Sequence, residues 1–355
     1  MAAGGTGGHV FPALSLAKAF EEKVPGVEIR FVGTPGGFEN TLVPAAGYKL
    51  HNLHVEGVKG KGVLQKIKSA ALLPKAFLKA DQLLKDYRPD VVFGIGGYVS
   101  GPVMLLSSMR GVLTGVLEPN AVAGFSNRTL GRWVDHVFVA FEQAKRSFPI
   151  WKTTVSGNPI RKEILAISPP DFTTAKKTIF IFGGSQGAHK INQAVCEMLP
   201  LLASLKDRLS FIHQTGRADL EMVKSAYQGQ GISADVREFI PDMNEAYAKS
   251  HIIVARSGSS VLEIAACGRP SILIPYPFAA DDHQTANAEV LGQAGAAIVV
   301  PNIKCDGPTL FTAVASLMEP QRLENMSRQV LHLRRENAAA IIVETLVRSL
   351  KKEAV

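Results

Sequence analysis

Residues 4–14 read GGTGGHVFPAL: four glycines around Thr6, then His9, then a run with helical spacing. A loop this rich in glycine belongs between a buried strand and a helix. There, bare helix-terminal N–H groups hold anions, and the absent side chains let a phosphate or sugar approach the backbone. Only Met1, Ala2 and Ala3 precede the loop, so the strand that should feed it is missing. The punctuation returns as GIGGYVSG from Gly94 and GGSQGAH from Gly183, the first and third loops starting 179 residues apart.

Short β-branched runs at 27–32, 91–95, 136–140, 178–182, 209–213, 251–255 and 271–274 alternate with stretches of helical spacing such as Leu73, Phe77, Ala80, Leu84 and Tyr87. Strand alternating with helix implies parallel sheets covered on both faces. The 355 residues exceed one ordinary core. The expected architecture is therefore α/β, two doubly wound Rossmann-like domains of residues 1–157 and 158–335 with a ligand cleft between them. The helical stretch 336–355 is a candidate to pack back on the first domain.

Composition narrows the class. Hydrophobic residues make up 46% and charged residues 20%, as in a globular protein. Cys196, Cys267 and Cys305 are too few and too scattered for a disulfide framework or a zinc site, and a reducing compartment follows. The longest charge-free run, residues 91–109, is divided by Gly94, Gly96, Gly97, Gly101 and Pro102 into strand, loop and helix, which argues against a membrane span. Lys and Arg number 39 against 31 Asp and Glu, giving +8. Residues 59–88 alone carry eight basic side chains against Asp81 and Asp86. Lys68, Lys75 and Lys79 repeat at helical spacing with Phe77 among them, which suits an anionic membrane surface. Pro74 is expected to break that helix, and a solvated lysine face is the alternative reading. Few aromatic residues and no recognised module argue against nucleic acid.

The dinucleotide pattern fails, because Gly5 and Gly7 are followed by Val10, and Gly94 and Gly96 by Val99; no GxxxxGK[ST] exists. What does match is an ordered set: GGTGGHVFPALSLA, DVVFGIGGYVSGP, EPNAVAGFSNR, GNPIR, FGGSQGAHKIN, EFIPDM and EIAACGRPSILIPYPFAADDHQTANA. Together these resemble the bacterial peptidoglycan glycosyltransferases that add N-acetylglucosamine to lipid I, over residues 3 to about 288. The resemblance implies a GT-B fold and a peripheral place on the cytoplasmic face of the cell membrane. It implies UDP-N-acetylglucosamine as donor, undecaprenyl-linked lipid I as acceptor, inversion at the anomeric carbon, and neither metal nor cofactor. The only adjacent acidic pair near the donor motifs is Asp281 and Asp282.

Site residues follow from the same resemblance. Donor contacts fall on Thr6, Gly7, Gly8, Asn120, Arg161, Ser185, Ile240, Ser259, Ser260, Glu263 and Gln284, with Ser185 at a phosphate, Glu263 at the ribose hydroxyls and the Ile240 backbone at uracil. Gly96, Gly97 and Tyr98 fall on the acceptor side with the lysine segment. His9 has the right chemistry for a base acting on the muramyl 4-hydroxyl; orienting the loop or the acceptor diphosphate is its alternative role. His189 is a further candidate near the donor phosphates. RSGSSVLE has one residue fewer than relatives between Gly258 and Glu263, and LEPN replaces the usual HEQN before Asn120.

Losing about five buried strand residues at roughly 2 kcal/mol each would cost on the order of 10 kcal/mol, as much as a typical domain's whole stability. The expectation is either a start assigned too late or a weak N-terminal sheet. Two rivals remain: an inactive nucleotide-sugar-binding protein, and a UDP-N-acetylglucosamine 2-epimerase.

Overall fold

Residues 1–3 stand within the first sheet. In the computed structural model, which describes residues 1–55, 63–184 and 186–353 apart from the side chains of 63–72 and 353, Ala2 forms parallel bridges to both Val32 and Gly94. Its N–H donates to the Phe93 carbonyl at 2.7 Å, its carbonyl accepts from Ile95 at 3.1 Å, and the Met1 carbonyl accepts from Val32 at 2.8 Å. Residues 1–3 thus hold the ladder position that the glycine loop requires, a strand the sequence reading counted as missing.

On one side of this stub lie β1 (Arg30–Gly33) and β2 (Lys49–Asn52). On the other lie β3 (Val91–Gly94), β4 (Leu113–Glu118), β5 (His136–Val139) and β6 (Thr153–Val155), all parallel, in the order β3-β4-β5-β6. Beyond Met1 the ladder position continues as a groove of about 730 Å³ lined by Met1, Phe20, Val24, Leu83, Val92 and Val347 among others. The Met1 ammonium is buried there and donates to the Arg30 carbonyl at 2.8 Å. Burial pushes its pKa down to about 5.

The helices of this unit are α1 (Gly7–Lys23), α2 (Glu39–Ala45), α3 (Val63–Tyr87), α4 (Ser100–Met109) and α5 (Phe125–Leu130), with the C-terminal helix Ala338–Glu353 added. Ile342, Val343 and Leu346 of that last helix are buried in the same cluster as Leu16 of α1, Phe31 of β1 and Phe93 of β3. The compact unit is Met1–Arg161 with Arg335–Val355; Lys162–Arg334 forms the other.

One local expectation is corrected, and one strand missing from the β-branched runs is added. Pro74 does not end the helix, which runs from Val63 through to Tyr87; Pro74 is exposed, so water can satisfy the carbonyl that its missing N–H leaves. Gly115 interrupts the letters of a strand without interrupting β4. A Cβ there would lie 2.9 Å from the Phe93 ring, so glycine gives room for a core aromatic.

The second unit is one parallel sheet, ordered β12-β11-β10-β7-β8-β9. Its strands are β7 (Lys177–Phe182), β8 (Leu209–Gln214), β9 (Ala234–Arg237), β10 (Ile252–Ala255), β11 (Ser271–Leu273) and β12 (Ala297–Val299). The chain winds outward from β7 to β9, then returns to β10 on the other side of β7. The loops after β7 and β10 therefore flank the point where winding direction reverses, which is where open α/β sheets bind ligands.

Candidate active site

In the first unit the glycine loop is fastened by Glu39, a carboxylate with no exposed surface. One oxygen accepts from the Gly5 amide at 2.9 Å; the other accepts from the Thr34 amide at 2.7 Å and its hydroxyl at 2.8 Å. Gly4, Gly33 and Gly37 all crowd this side chain, so a Cβ at any of them would lie within 2.6 Å of it. These glycines are spaced by their anchor.

The second glycine loop folds against the first. Gly97 has φ +78 and its absent Cβ would come within 2.8 Å of the Gly4 carbonyl; a Cβ on Gly96, at φ +100, would meet His9 Nε2 and Asn127 Nδ2, each at 3.4 Å. His9 Nδ1 lies 3.2 Å from the Gly4 carbonyl. With Nδ1 as the donor in that contact, Nε2 is the acceptor nitrogen of the neutral ring. Thr6, Gly7 and Gly8 belong to the same turn, where Thr6 is exposed and caps α1 with its backbone alone. Tyr98 stands at the rim, 53% exposed.

A third loop is organised by Glu118 at the end of β4. One of its oxygens accepts from both the amide and the side chain of Asn120, each at 3.0 Å; the other accepts from the Gly124 amide and Asn127 Nδ2, each at 3.0 Å. Burial raises the Glu118 pKa, and these four donors pull against that rise. Asn120 is thereby oriented by the glutamate two residues before it. Arg161 lies with its guanidinium 4.5 Å from the Phe11 ring of α1, so the structure places it beside the first glycine loop.

In the second unit the loop after β7 has Gly184 at φ +93 and Gly187 at φ +76, the latter backed against the Thr215 carbonyl so closely that no side chain fits. Gln214 ties two candidate segments together. Its Nε2 donates to the Gly184 carbonyl at 3.0 Å, and its Oε1 accepts from the Ile240 amide at 2.8 Å. The Ile240 N–H is therefore engaged by protein. Glu263 accepts from the Tyr247 hydroxyl at 3.1 Å, on the first turn of helix Ser260–Ala266. Gln284 lies against Gly258 at 3.9 Å from its ideal Cβ and accepts from the Tyr276 amide at 3.0 Å. Ser257 donates to the Gln284 carbonyl at 2.7 Å, so Ser259, Ser260 and Gln284 belong to one neighbourhood. Just before it, Asp281 and Asp282 sit at φ +54 and +53, a strained conformation of the kind found at binding loops.

Four residues of these networks escaped the sequence reading: Glu39, Glu118, Asn127 and Gln214. Glu118 and Asn127, both inside the quoted EPNAVAGFSNR motif, carried a local signal, and Glu39 and Gln214 carried none.

Residues 1–139 match the glycosyltransferase family 28 N-terminal domain, and residues 178–344 match the glycosyltransferase family 28 C-terminal domain. An Anaeromyxobacter sp. (strain Fw109-5) relative is 43% identical over 99% of this chain and 93% of its own. The chain belongs to glycosyltransferase family 28. A Geobacter metallireducens relative of this family 28 transferase is 40% identical over 99% of both chains, and both relatives are named UDP-N-acetylglucosamine–N-acetylmuramyl-(pentapeptide) pyrophosphoryl-undecaprenol N-acetylglucosamine transferase. The crystal structure of Acinetobacter baumannii MurG matches with a TM-score of 0.78 and 31% identity over 98% of each chain. The Neisseria meningitidis UDP-GlcNAc 2-epimerase, with a TM-score of 0.67 at 19% identity over 98% of this chain and 99% of its own, shares the fold alone.

The family 28 transferase is thus an α/β protein of GT-B type. Ser185, and the side chain of Lys68, lie outside the described residues. Lys75 and Lys79 are exposed on α3, Phe77 is half-buried and Leu78 is 71% exposed. Among the described residues no group of three or more His, Cys, Asp or Glu could hold a metal ion, and no helix is long and apolar enough to cross a membrane.

Proposed function

We propose that this transferase moves N-acetylglucosamine from UDP-N-acetylglucosamine to the 4-hydroxyl of the muramyl unit of lipid I, giving lipid II for peptidoglycan. The observation that carries this reading is the 43% identity, over nearly the whole chain, to a relative named for that reaction.

In this mechanism the acceptor lies on the first unit, over the paired glycine loops. His9 Nε2 takes the proton from the 4-hydroxyl as the new O–C1 bond forms, and the C1–O bond to UDP breaks with its electron pair passing to the diphosphate. Single displacement inverts the anomeric carbon. A positioned base of this kind contributes about 10²- to 10⁴-fold. The donor lies on the second unit at the reversal point, with the loop of Ser185 at the diphosphate, Ile240 at uracil, Glu263 at the ribose diol, and Ser259, Ser260 and Gln284 along the sugar. Thr6, Gly7, Gly8, Asn120 and Arg161 are the remaining donor-contact candidates. Fixed amide donors then stabilise the leaving group.

The acceptor's polyprenyl tail requires a membrane, and the first unit offers features for it. Lys75, Lys79 and Leu78 are exposed on α3. Trp133, Ile150 and Trp151 are 58%, 72% and 83% exposed, and Lys152 joins their two segments by donating to the Arg132 and Val134 carbonyls. Exposed tryptophans among cations suit the headgroup region of an anionic bilayer on its cytoplasmic face.

The test is release of UDP from UDP-N-acetylglucosamine with and without a short-tailed lipid I analogue, in the absence of added metal. Acceptor-dependent release is expected. Consumption of the donor without acceptor would mean a 2-epimerase, and donor binding with no turnover would mean a binding protein.

A further inference from the structure

Unit two contains four aspartates at helix N-caps, Asp219, Asp242, Asp282 and Asp306, of which Asp219 and Asp282 accept no amide of their own helix. Asp242 accepts from the Asn244 amide and Asp306 from the Thr309 amide, as N-cap aspartates ordinarily do. Asp219, before helix Leu220–Gly229, makes no such bond. Its carboxylate turns away from its own helix: one oxygen lies 2.9 Å from His189 Nδ1, and the other accepts from Asn192 Nδ2 at 2.7 Å. The forgone cap is worth about 1 kcal/mol, and the carboxylate is nearly buried, its side chain 11% exposed. A buried carboxylate turned toward an imidazole that is itself 72% exposed is costly as architecture and sensible as a device for aiming that ring.

The support behind Asp219 is complete. Asn192 also donates to the Thr215 carbonyl at 2.8 Å, and its oxygen faces His213 Nε2 at 3.0 Å. His213 is buried and held neutral, its pKa pushed down to about 3, so it adds no second cation. A carboxylate only accepts, so His189 Nδ1 carries the proton and Nε2 is the nitrogen presented outward. His189 follows directly on the Gly183–Ala188 loop at the reversal point of the sheet.

We propose that His189 contacts the diphosphate of the nucleotide-sugar donor, with Asp219 as its positioning residue. The inference rests on the donor reading of this loop given above. With Nδ1–H given to Asp219, the ring meets an anion as the imidazolium, donating Nε2–H. When the C1–O bond breaks and its electron pair passes to the diphosphate, that donor meets the charge as it collects.

Calorimetric titration of the full chain with UDP and with uridine tests the assignment. His189→Ala is expected to weaken UDP binding about tenfold, the 1.4 kcal/mol of one charge-assisted hydrogen bond, and to change uridine binding less than twofold. Asp219→Asn is expected to lower the same UDP-over-uridine preference by a smaller factor, which a merely structural role would not do. Should Asp219→Asn fail to fold, the exposed His189 variant carries the test alone. Equal losses for both ligands, or none for either, would overturn the proposal while leaving the donor reading intact. Failure of the unaltered protein to bind UDP would overturn both.

Discussion

Glu39 Oε2 accepts the amide of Gly5 at 2.9 Å, thirty-four residues away, and through that bond a buried carboxylate holds the first glycine loop against β1. Glu39→Gln keeps the volume but turns a donor toward a donor at one of its two oxygens. Leaving a buried amide unpaired costs about 1–3 kcal/mol. The variant is expected to melt several degrees lower and to lose turnover more than UDP affinity, read by thermal denaturation and steady-state kinetics.

Gly97 and Gly111 separate crowding from conformation. Both have positive φ, +78 and +70, but a Cβ at Gly97 strikes the Gly4 carbonyl at 2.8 Å while one at Gly111 meets nothing within 4 Å. Alanine at Gly111 pays only the left-handed strain, about 1–2 kcal/mol. Alanine at Gly97 must also part the two loops, so Gly97→Ala is expected to cut acceptor turnover strongly and Gly111→Ala to leave it near normal at permissive temperature.

If His9 removes the acceptor proton, His9→Ala lowers kcat about 10²- to 10⁴-fold with donor binding retained. Equal kcat in the variant would leave His9 with only its orienting role. Stopped or continuous assays of UDP release decide between the two.

Lys75 and Lys79 are both exposed on α3. At about 1 kcal/mol per lysine near an anionic surface, Lys75→Gln with Lys79→Gln is expected to weaken binding to phosphatidylserine-containing vesicles roughly 30-fold. Vesicle sedimentation at low and high salt measures it, and the difference between the proteins should shrink as salt screens the charge.

The legible parts of this molecule were those written in consecutive letters. The alternation of β-branched runs with helical spacing announced parallel sheets, and the three glycine loops announced where ligands approach. Strands made by neighbours were not legible: Met1–Ala3 is too short to read as anything, and β4, with a core glycine in its middle, was not among the β-branched runs. Two of the side chains that hold the loops, Glu39 and Gln214, were also silent. Glu39 serves Gly5, and Gln214 joins Gly184 to Ile240, across separations of 26 to 34 residues at which no spacing pattern survives. A side chain whose meaning lies in a partner far along the chain cannot announce it locally.

The return of helix Ala338–Glu353 to the first unit sets an order of events during synthesis. Residues 162–334 form a contiguous unit and can close as soon as they have left the ribosome. The first unit, although made first, lacks Ile342, Val343 and Leu346 from its core until the last residues emerge. The usual N-to-C sequence of domain folding is thereby inverted: the middle of the polypeptide matures before its beginning, and a nascent chain released early leaves an apolar face of α1 and β3 uncovered for a chaperone to hold.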